Sequence, residues 1–305
     1  MDLTHDGLVR TAAFAWLTEQ VTRSGADVLP YAQLLEGFQF DGVRVPLLGP
    51  QGIFKPRVLH GAPLSITTSP GGPYDDGFGS DDLLRYRYRG TDPRHQDNEG
   101  LRTAMRLKLP LVYLHGVAVG KYLATWPVYV VRDDPANLAG SVAVDDAAIV
   151  TLGQQAPTEV ADDVVSARRN YITSMVRVRL HQRSFRERVL EAYQHQCAFC
   201  RLRHEELLSA AHIVPDSQPR GEPVVKNGLA LCALHHCAFD RLFIGLRPDY
   251  VIEVREDILH ESDGPTLAYA IQGLHGRPIT VPRVVAHRPD PTLLEIRYRE
   301  FKAAS

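Results

Sequence analysis

Apolar positions recur at helical spacing over residues 7–22 (GLVRTAAFAWLTEQVT), which predicts an amphipathic helix near the start of the chain. Leu29-Pro30 opens a second short helical stretch that runs through Phe38. From Val43 to about Val131 the period changes. Short apolar runs at 63–68 (PLSITT), 84–88 (LRYRY) and 110–118 (PLVYLHGVA) alternate with turns rich in Gly, Pro and Asp, the pattern of strands joined by loops. One helix at 98–108 (NEGLRTAMRLK) interrupts them. Residues 133–163 contain DDPANLAG and then GQQAPTEVADD, a polar stretch that reads as a domain edge and linker. A long helical pattern covers 164–194. After Cys237 mixed strands and turns lead to a helical tail (PTLLEIRYREFKA).

A length of 305 residues favours two domains over one. Apolar residues make up 44% and charged residues 23%, so the chain is neither disordered nor collagen-like. A formal net charge of −2 excludes a uniformly basic nucleic-acid coat, and any nucleic-acid surface must be a local patch. No apolar run approaches the roughly 18 residues of a membrane span. The first ten residues carry Asp2 and Asp6 in place of a basic-then-apolar leader, so the expectation is a cytoplasmic protein with no membrane partner. The long helix holds Arg168, Arg169, Arg177, Arg179, Arg183, Arg186 and Arg188 against only Glu187 and Glu191. A run of this kind is ordinarily a solvated face. Within it, Arg177, Arg179 and Arg183 are candidates for backbone phosphate contact.

All four cysteines lie between Cys197 and Cys237, a confinement that points to a metal site and away from a disulfide scaffold. Cys197-Ala-Phe-Cys200 and Cys232-Ala-Leu-His235 are two chelating turns about 30 residues apart, suited to a structural, tetrahedral Zn²⁺. Cys237 is the alternative fourth ligand. His235 is preferred because its turn chelates without stretching.

Within this segment stand Ala-Ala-His212-Ile-Val-Pro215, then Asn227-Gly-Leu-Ala-Leu-Cys, then His236-Cys-Ala-Phe-Asp240. The series AHIVP…NGLALC…HHCAFD resembles the HNH nuclease family over roughly residues 185–250. The resemblance implies a ββα-metal fold in which His212 is the general base, Asn227 a supporting residue and His236 a ligand of the catalytic cation. The residues fit that chemistry on their own terms. Phosphodiester hydrolysis needs a base that works near neutral pH, and imidazole has the right intrinsic pKa. It also needs a cation to neutralise the phosphate. His236 and Asp240, four apart on a predicted helix, project from one face and can ligate together. Many relatives carry Asp or His immediately before the base. Here that position is Ala211, which leaves the cation open between Mg²⁺ and Mn²⁺, with Co²⁺ or Ni²⁺ also suited to an imidazole ligand.

The N-terminal part shows an early Gly-Ile, a GAPLSI strand, a Tyr-Asp-Asp turn, an aromatic strand ending Tyr88-Arg-Gly90, and Gln96-x-Asn98 before a helix. Composition alone would make this a β-barrel with edge tyrosines and solvated aspartates. The order of elements over residues 40–135 resembles the SRA family, which implies binding of DNA by flipping a modified cytosine into a pocket. Two aromatic faces would replace the lost stacking, and a carboxylate would accept from the exocyclic amine. Tyr74 and Tyr88 are the candidate faces. Asp76, or failing that Asp75, is the candidate carboxylate.

Together these readings predict an α+β protein. An SRA-like barrel with flanking helices (1–160) is joined by a basic helical linker (161–194) to a ββα-metal domain with a structural zinc (195–305). The expected function is a modification-dependent DNA endonuclease of the SRA–HNH kind, acting on double-stranded DNA with 5-methylcytosine or a related base, as a homodimer. Alternatives are an HNH nuclease guided by sequence or by phosphorothioate, and a reader with a weak nuclease.

Overall fold

The computed structural model describes residues 3–24, 26–69, 83–145 and 162–304. The first helix, α1 (Leu3–Ser24), buries Val9, Ala13 and Leu17, spaced one turn apart, together with Phe14. The same stripe carries Arg10, only 1% exposed. Its guanidinium donates to the carbonyls of Pro63 (2.9 Å), Pro110 (2.8 Å) and Ala62 (3.1 Å), and so ties the helix to two loops. Burial lowers its pKa to about 10, against the opposing pull of Asp6.

Pro30 has an extended backbone (φ −65°, ψ 145°), so the helix predicted from Leu29 begins later. Residues Val28–Pro30 form strand β1, and α2 is Tyr31–Glu36. A hairpin of β2 (Phe38–Phe40) and β3 (Val43–Val45) follows. Then come β4 (Ile53–Phe54), β5 (Ser65–Thr68), β6 (Leu84–Arg87), α3 (Gln96–Arg106), β7 (Leu111–Ala118), β8 (Lys121–Asp134) and β9 (Ala139–Val144). The sheet order is β4-β5-β7-β8-β9-β6, with β1 also paired to β8. Among the described residues only β5 and β7 run parallel.

Both faces of this sheet are covered. Tyr113 and Val117 of β7 point into a core shared with Leu101 of α3, while Val112 and Leu114 point into one shared with Leu17 and Leu34. Two-sided burial is why β7 reads as a continuous apolar run with no polar alternation. The expected closed barrel is not seen among the described residues. Among these residues the sheet's edge strands β4 and β6 do not pair with each other, so it is a curled half-barrel. The curl brings the Tyr86 hydroxyl of β6 to the Thr67 carbonyl of β5 (3.4 Å). DDPANLAG is likewise not a linker. It is the tight turn between β8 and β9, where Asn137 donates to both carboxylate oxygens of Asp134 (3.2 and 2.8 Å).

The long helix α4 (Asp162–Ala192) follows. The chain divides into two compact units, Met1–Leu180 and His181–Ser305. Helix α4 supplies side chains to the core of each. Ile172, Val176 and Leu180 pack in the first, and Phe185, Val189 and Leu190 in the second.

The second unit is built on a hairpin of β10 (Leu208–His212) and β11 (Gly228–Cys232), followed at once by α5 (Ala233–Asp240). A smaller hairpin, β12 (Ile244–Leu246) with β13 (Ile252–Val254), and helices α6 (Glu256–His260), α7 (Pro265–Ala270) and α8 (Pro291–Ala303) complete it. Among the described residues no helix is long and apolar enough to cross a membrane.

Candidate active site and metal centre

Strand–strand–helix order decides where each functional side chain goes. In the β10–β11 register Leu208 faces Cys232 at one end and His212 faces Gly228 at the other. The candidate metal ligand Cys232 and the candidate base therefore sit at opposite ends of one hairpin. Helix α5 starts directly after Cys232 and carries His235 and His236. Successive helical residues point about 100° apart, so the two imidazoles diverge. His235 is 1% exposed, while His236 is part-exposed.

The ligand atoms of Cys197, Cys200, Cys232 and His235 all lie within 4.8 Å of one another. His235 Nδ1 is 3.4 Å from Cys197 Sγ and 3.2 Å from Cys232 Sγ. Its other nitrogen, Nε2, reaches the Ala270 carbonyl at 2.8 Å, the outer contact that orients a metal-bound imidazole. Crowding has an electrostatic signature: hydrogen bonding with Cys197 and then the other thiols drives the Cys200 pKa well above its usual range and that of Cys232 well below. This Cys₃His set could hold zinc, with thiolate and imidazole donors in the number that a closed tetrahedral site requires. Cys237, the alternative ligand, is exposed and lies outside the cluster.

His212 ends β10 with its ring stacked on Phe185 of α4, the centroids 4.1 Å apart at 20°. Its Nε2 is buried and has no hydrogen-bond partner. An orphaned imidazole nitrogen is the atom a hydrolytic base would present to water. Burial pushes its pKa down, His236 adds to that, and Asp216 and Asp240 pull the other way. The ring is therefore neutral, and able to accept a proton, at neutral pH.

His236 is held from both sides. Its Nδ1 lies 2.6 Å from Ser209 Oγ and its Nε2 lies 3.3 Å from Asp240 Oδ2. The neighbouring His236 lowers the Asp240 pKa, so its carboxylate is charged. If the His236 proton is donated from Nδ1 to Ser209, Nε2 keeps its lone pair beside a carboxylate. An imidazole and a carboxylate so placed fit a divalent cation, which His236 and Asp240 would hold. Ser209, His236, Cys237, Asp240 and Arg241 line an open depression at this face. Ala211 is fully buried in the core and contributes no ligand.

Asn227 is also fully buried. Its Oδ1 accepts from Val214 N–H (2.9 Å), and its Nδ2 donates to the carbonyls of Val214 (2.9 Å) and Glu222 (3.1 Å). It fastens the long β10–β11 loop just beyond His212 and touches neither imidazole, so its part is structural support. Gly228, opposite His212, permits the close approach of α4. A Cβ there would lie 2.4 Å from Val189 Cγ2 and 3.0 Å from Phe185 Cζ. Phe185, Ser209 and Asp216 carry no motif in the sequence, and only the fold shows their relation to the imidazoles.

In the first unit the outcome differs. Tyr74, Asp75 and Asp76 lie outside the described residues. Tyr88 is 3% exposed in the core, and the Arg102 guanidinium covers its ring at 5.3 Å. It thus presents no open face for stacking, contrary to the expectation. Arg179 is committed to the buried Asp27 through Nη2 (2.6 Å), so a phosphate would have to displace that carboxylate. Arg177 and Arg183 also have interactions within the chain. Two further arginines of the run serve the scaffold. Arg186 donates to the carbonyls of Glu205 (3.1 Å) and Leu208 (3.0 Å), and Arg188 to that of Pro223 (3.0 Å).

Residues 197–247 match the family model described as HNH endonuclease, and the second unit thus carries an HNH endonuclease domain. Among solved structures, the chain is similar to one titled "Modification dependent TagI restriction endonuclease", at 17% identity and TM-score 0.31, covering 79% of this chain and 82% of that one. It is also similar to "Structure of the Type IV phosphorothioation-dependent restriction endonuclease ScoMcrA", at 14% identity and TM-score 0.21, covering 79% of this chain and 57% of that one. No curated protein matches.

Proposed function

We propose that this endonuclease is modification-dependent: the first unit docks on double-stranded DNA carrying a modified base, 5-methylcytosine or a relative, and the second hydrolyses a nearby phosphodiester bond. The observation that carries the hydrolytic half is the unpartnered Nε2 of His212, coupled electrostatically to the His236–Asp240 pair. In this reading His212 takes a proton from the attacking water. Phe185 holds the ring in plane, and Asn227 keeps the loop beyond it in place. A divalent cation, Mg²⁺ or Mn²⁺, on His236 and Asp240 would supply charge neutralisation at the scissile phosphate. The Cys₃His cluster would bind zinc and hold the hairpin and α5 together.

The reader half is supported by the order of sequence elements that resembles the SRA family and by a half-barrel covered on both faces. A nuclease centre that contacts only the backbone needs such a reader, because phosphate contacts carry no base information. One centre cuts one strand, so a double-strand break calls for two copies of the chain. The burial of Tyr88 under Arg102 favours weighing a second reading, recognition of another mark such as phosphorothioate. Digestion of matched plasmids carrying cytosine, 5-methylcytosine, 5-hydroxymethylcytosine or phosphorothioate, with Mg²⁺ and Mn²⁺ in turn, tests both. Preferential cutting of the 5-modified plasmids is expected. Equal cutting of all four would remove the modification dependence and leave the nuclease.

A further inference from the structure

On the second unit lies a cleft of about 320 Å³ that the hydrolytic centre does not use. Arg201, Arg203 and Arg283 line it with Gln194, Gln196 and Thr280, and no carboxylate does. Several other arginines of the second unit pair locally: Arg247 with Asp249, Arg255 with Asp257, Arg297 with Glu300. Among the described residues Arg203 and Arg283 have no ion pair, and Arg201 makes only a 3.3 Å hydrogen bond to the Thr280 hydroxyl. Gln196 is 9% exposed, a buried amide at the wall of the cleft.

The Cys₃His cluster builds this arrangement. Arg201 follows Cys200 directly, and its N–H bonds the Cys197 carbonyl at 2.9 Å to close the chelating turn. It adopts a left-handed backbone (φ 64°), and its side chain is exposed. Thr280 is docked on the same turn through its N–H to the Ala198 carbonyl (2.8 Å). Three guanidiniums, two amides and a hydroxyl, with no competing acid, are opposite in charge to a phosphodiester and offer donors to its oxygens.

We propose that this cleft binds a backbone phosphate of the DNA substrate, as an anchor separate from the hydrolytic centre. The proposal rests on the endonuclease reading above. An anchor here would align the duplex without reading its bases.

The test measures binding of the zinc-loaded full chain to a short unmodified duplex across a salt series. The Arg201→Ala/Arg283→Ala pair should lower the slope of log K against log salt by roughly 0.9, the loss of one phosphate contact. The Arg201→Lys/Arg283→Lys pair should restore that slope, because lysine keeps the point charge. Zinc content and melting temperature, measured alongside, should match the parent in both. An unchanged slope in the alanine pair would overturn the proposal. So would a lost slope that lysine does not restore, since the arginines would then be holding the turn. If the unaltered chain binds no DNA at all, the endonuclease reading falls as well, which separates the two failures.

Discussion

His235 and His236 are neighbours in the chain, yet they stand in opposite kinds of site. His235 is buried against three sulfurs, and its outer nitrogen is engaged by a backbone carbonyl. His236 borders an open depression, between a serine and a charged aspartate, and shares its electrostatics with a third imidazole whose inner nitrogen has no partner. A site with every donor position filled by protein can only hold structure together. A site with vacant capacity can bind and turn over a substrate. One helical step of α5 separates the two duties.

The sharpest way to break this contrast is at the closed site. Cys197→Ser should cost on the order of 10 kcal/mol of metal-linked folding free energy. The second unit should then lose its cooperative melting transition and its bound zinc. A variant that melts like the parent with full zinc content would show that the cluster is not structural. At the open site, His212→Ala should lower the cleavage rate by roughly 10²–10⁴-fold. Melting temperature and DNA affinity should stay close to the parent, and a large loss of either would make His212 structural too.

Asn227→Ala tests the border between the duties. It strands a buried N–H and two carbonyls, so a loss of about 2–3 kcal/mol is expected by denaturant unfolding, with cleavage falling in parallel. The smallest effect is on pH. Burial depresses the His212 pKa, so the acidic limb of the rate profile should fall below the ordinary imidazole value of about 6.5. Asp216 raises that pKa and is exposed, so Asp216→Asn should move the limb modestly further down. A limb above the ordinary value, or a shift upward, would contradict the assigned environment.

The closed site was almost fully legible in the sequence, because short chelating turns impose their own spacing. His235 against Cys237 could be decided from turn length alone. The open site was legible in its named groups and opaque in its surroundings. His236 and Asp240 follow from helical periodicity, whereas Ser209, Phe185 and Asp216 reach the imidazoles through strand register, a long-range helix contact and a loop. The first unit was harder. Its strands were placed well, since turn residues bound them, but whether the sheet closes depends on how edges β4 and β6 meet, and no local pattern encodes that. Tyr88 shows the same limit: alternation puts it on a face, and only packing reveals that Arg102 occupies that face. The arginines of α4 illustrate it for charge, because Asp27 lies 152 positions from Arg179 in the chain.

Gly228 turns these contacts into a lever. The missing methyl there lets α4 seat Phe185 against the ring of His212, and that seating is part of what strips water from the imidazole. In the proposed role of His212, its proton affinity then depends in part on volume at a position bearing no polar group. Enlarging residue 228 should rehydrate the ring and raise its proton affinity with every ionisable side chain left in place. The working pH of such a nuclease can therefore be retuned through its packing alone.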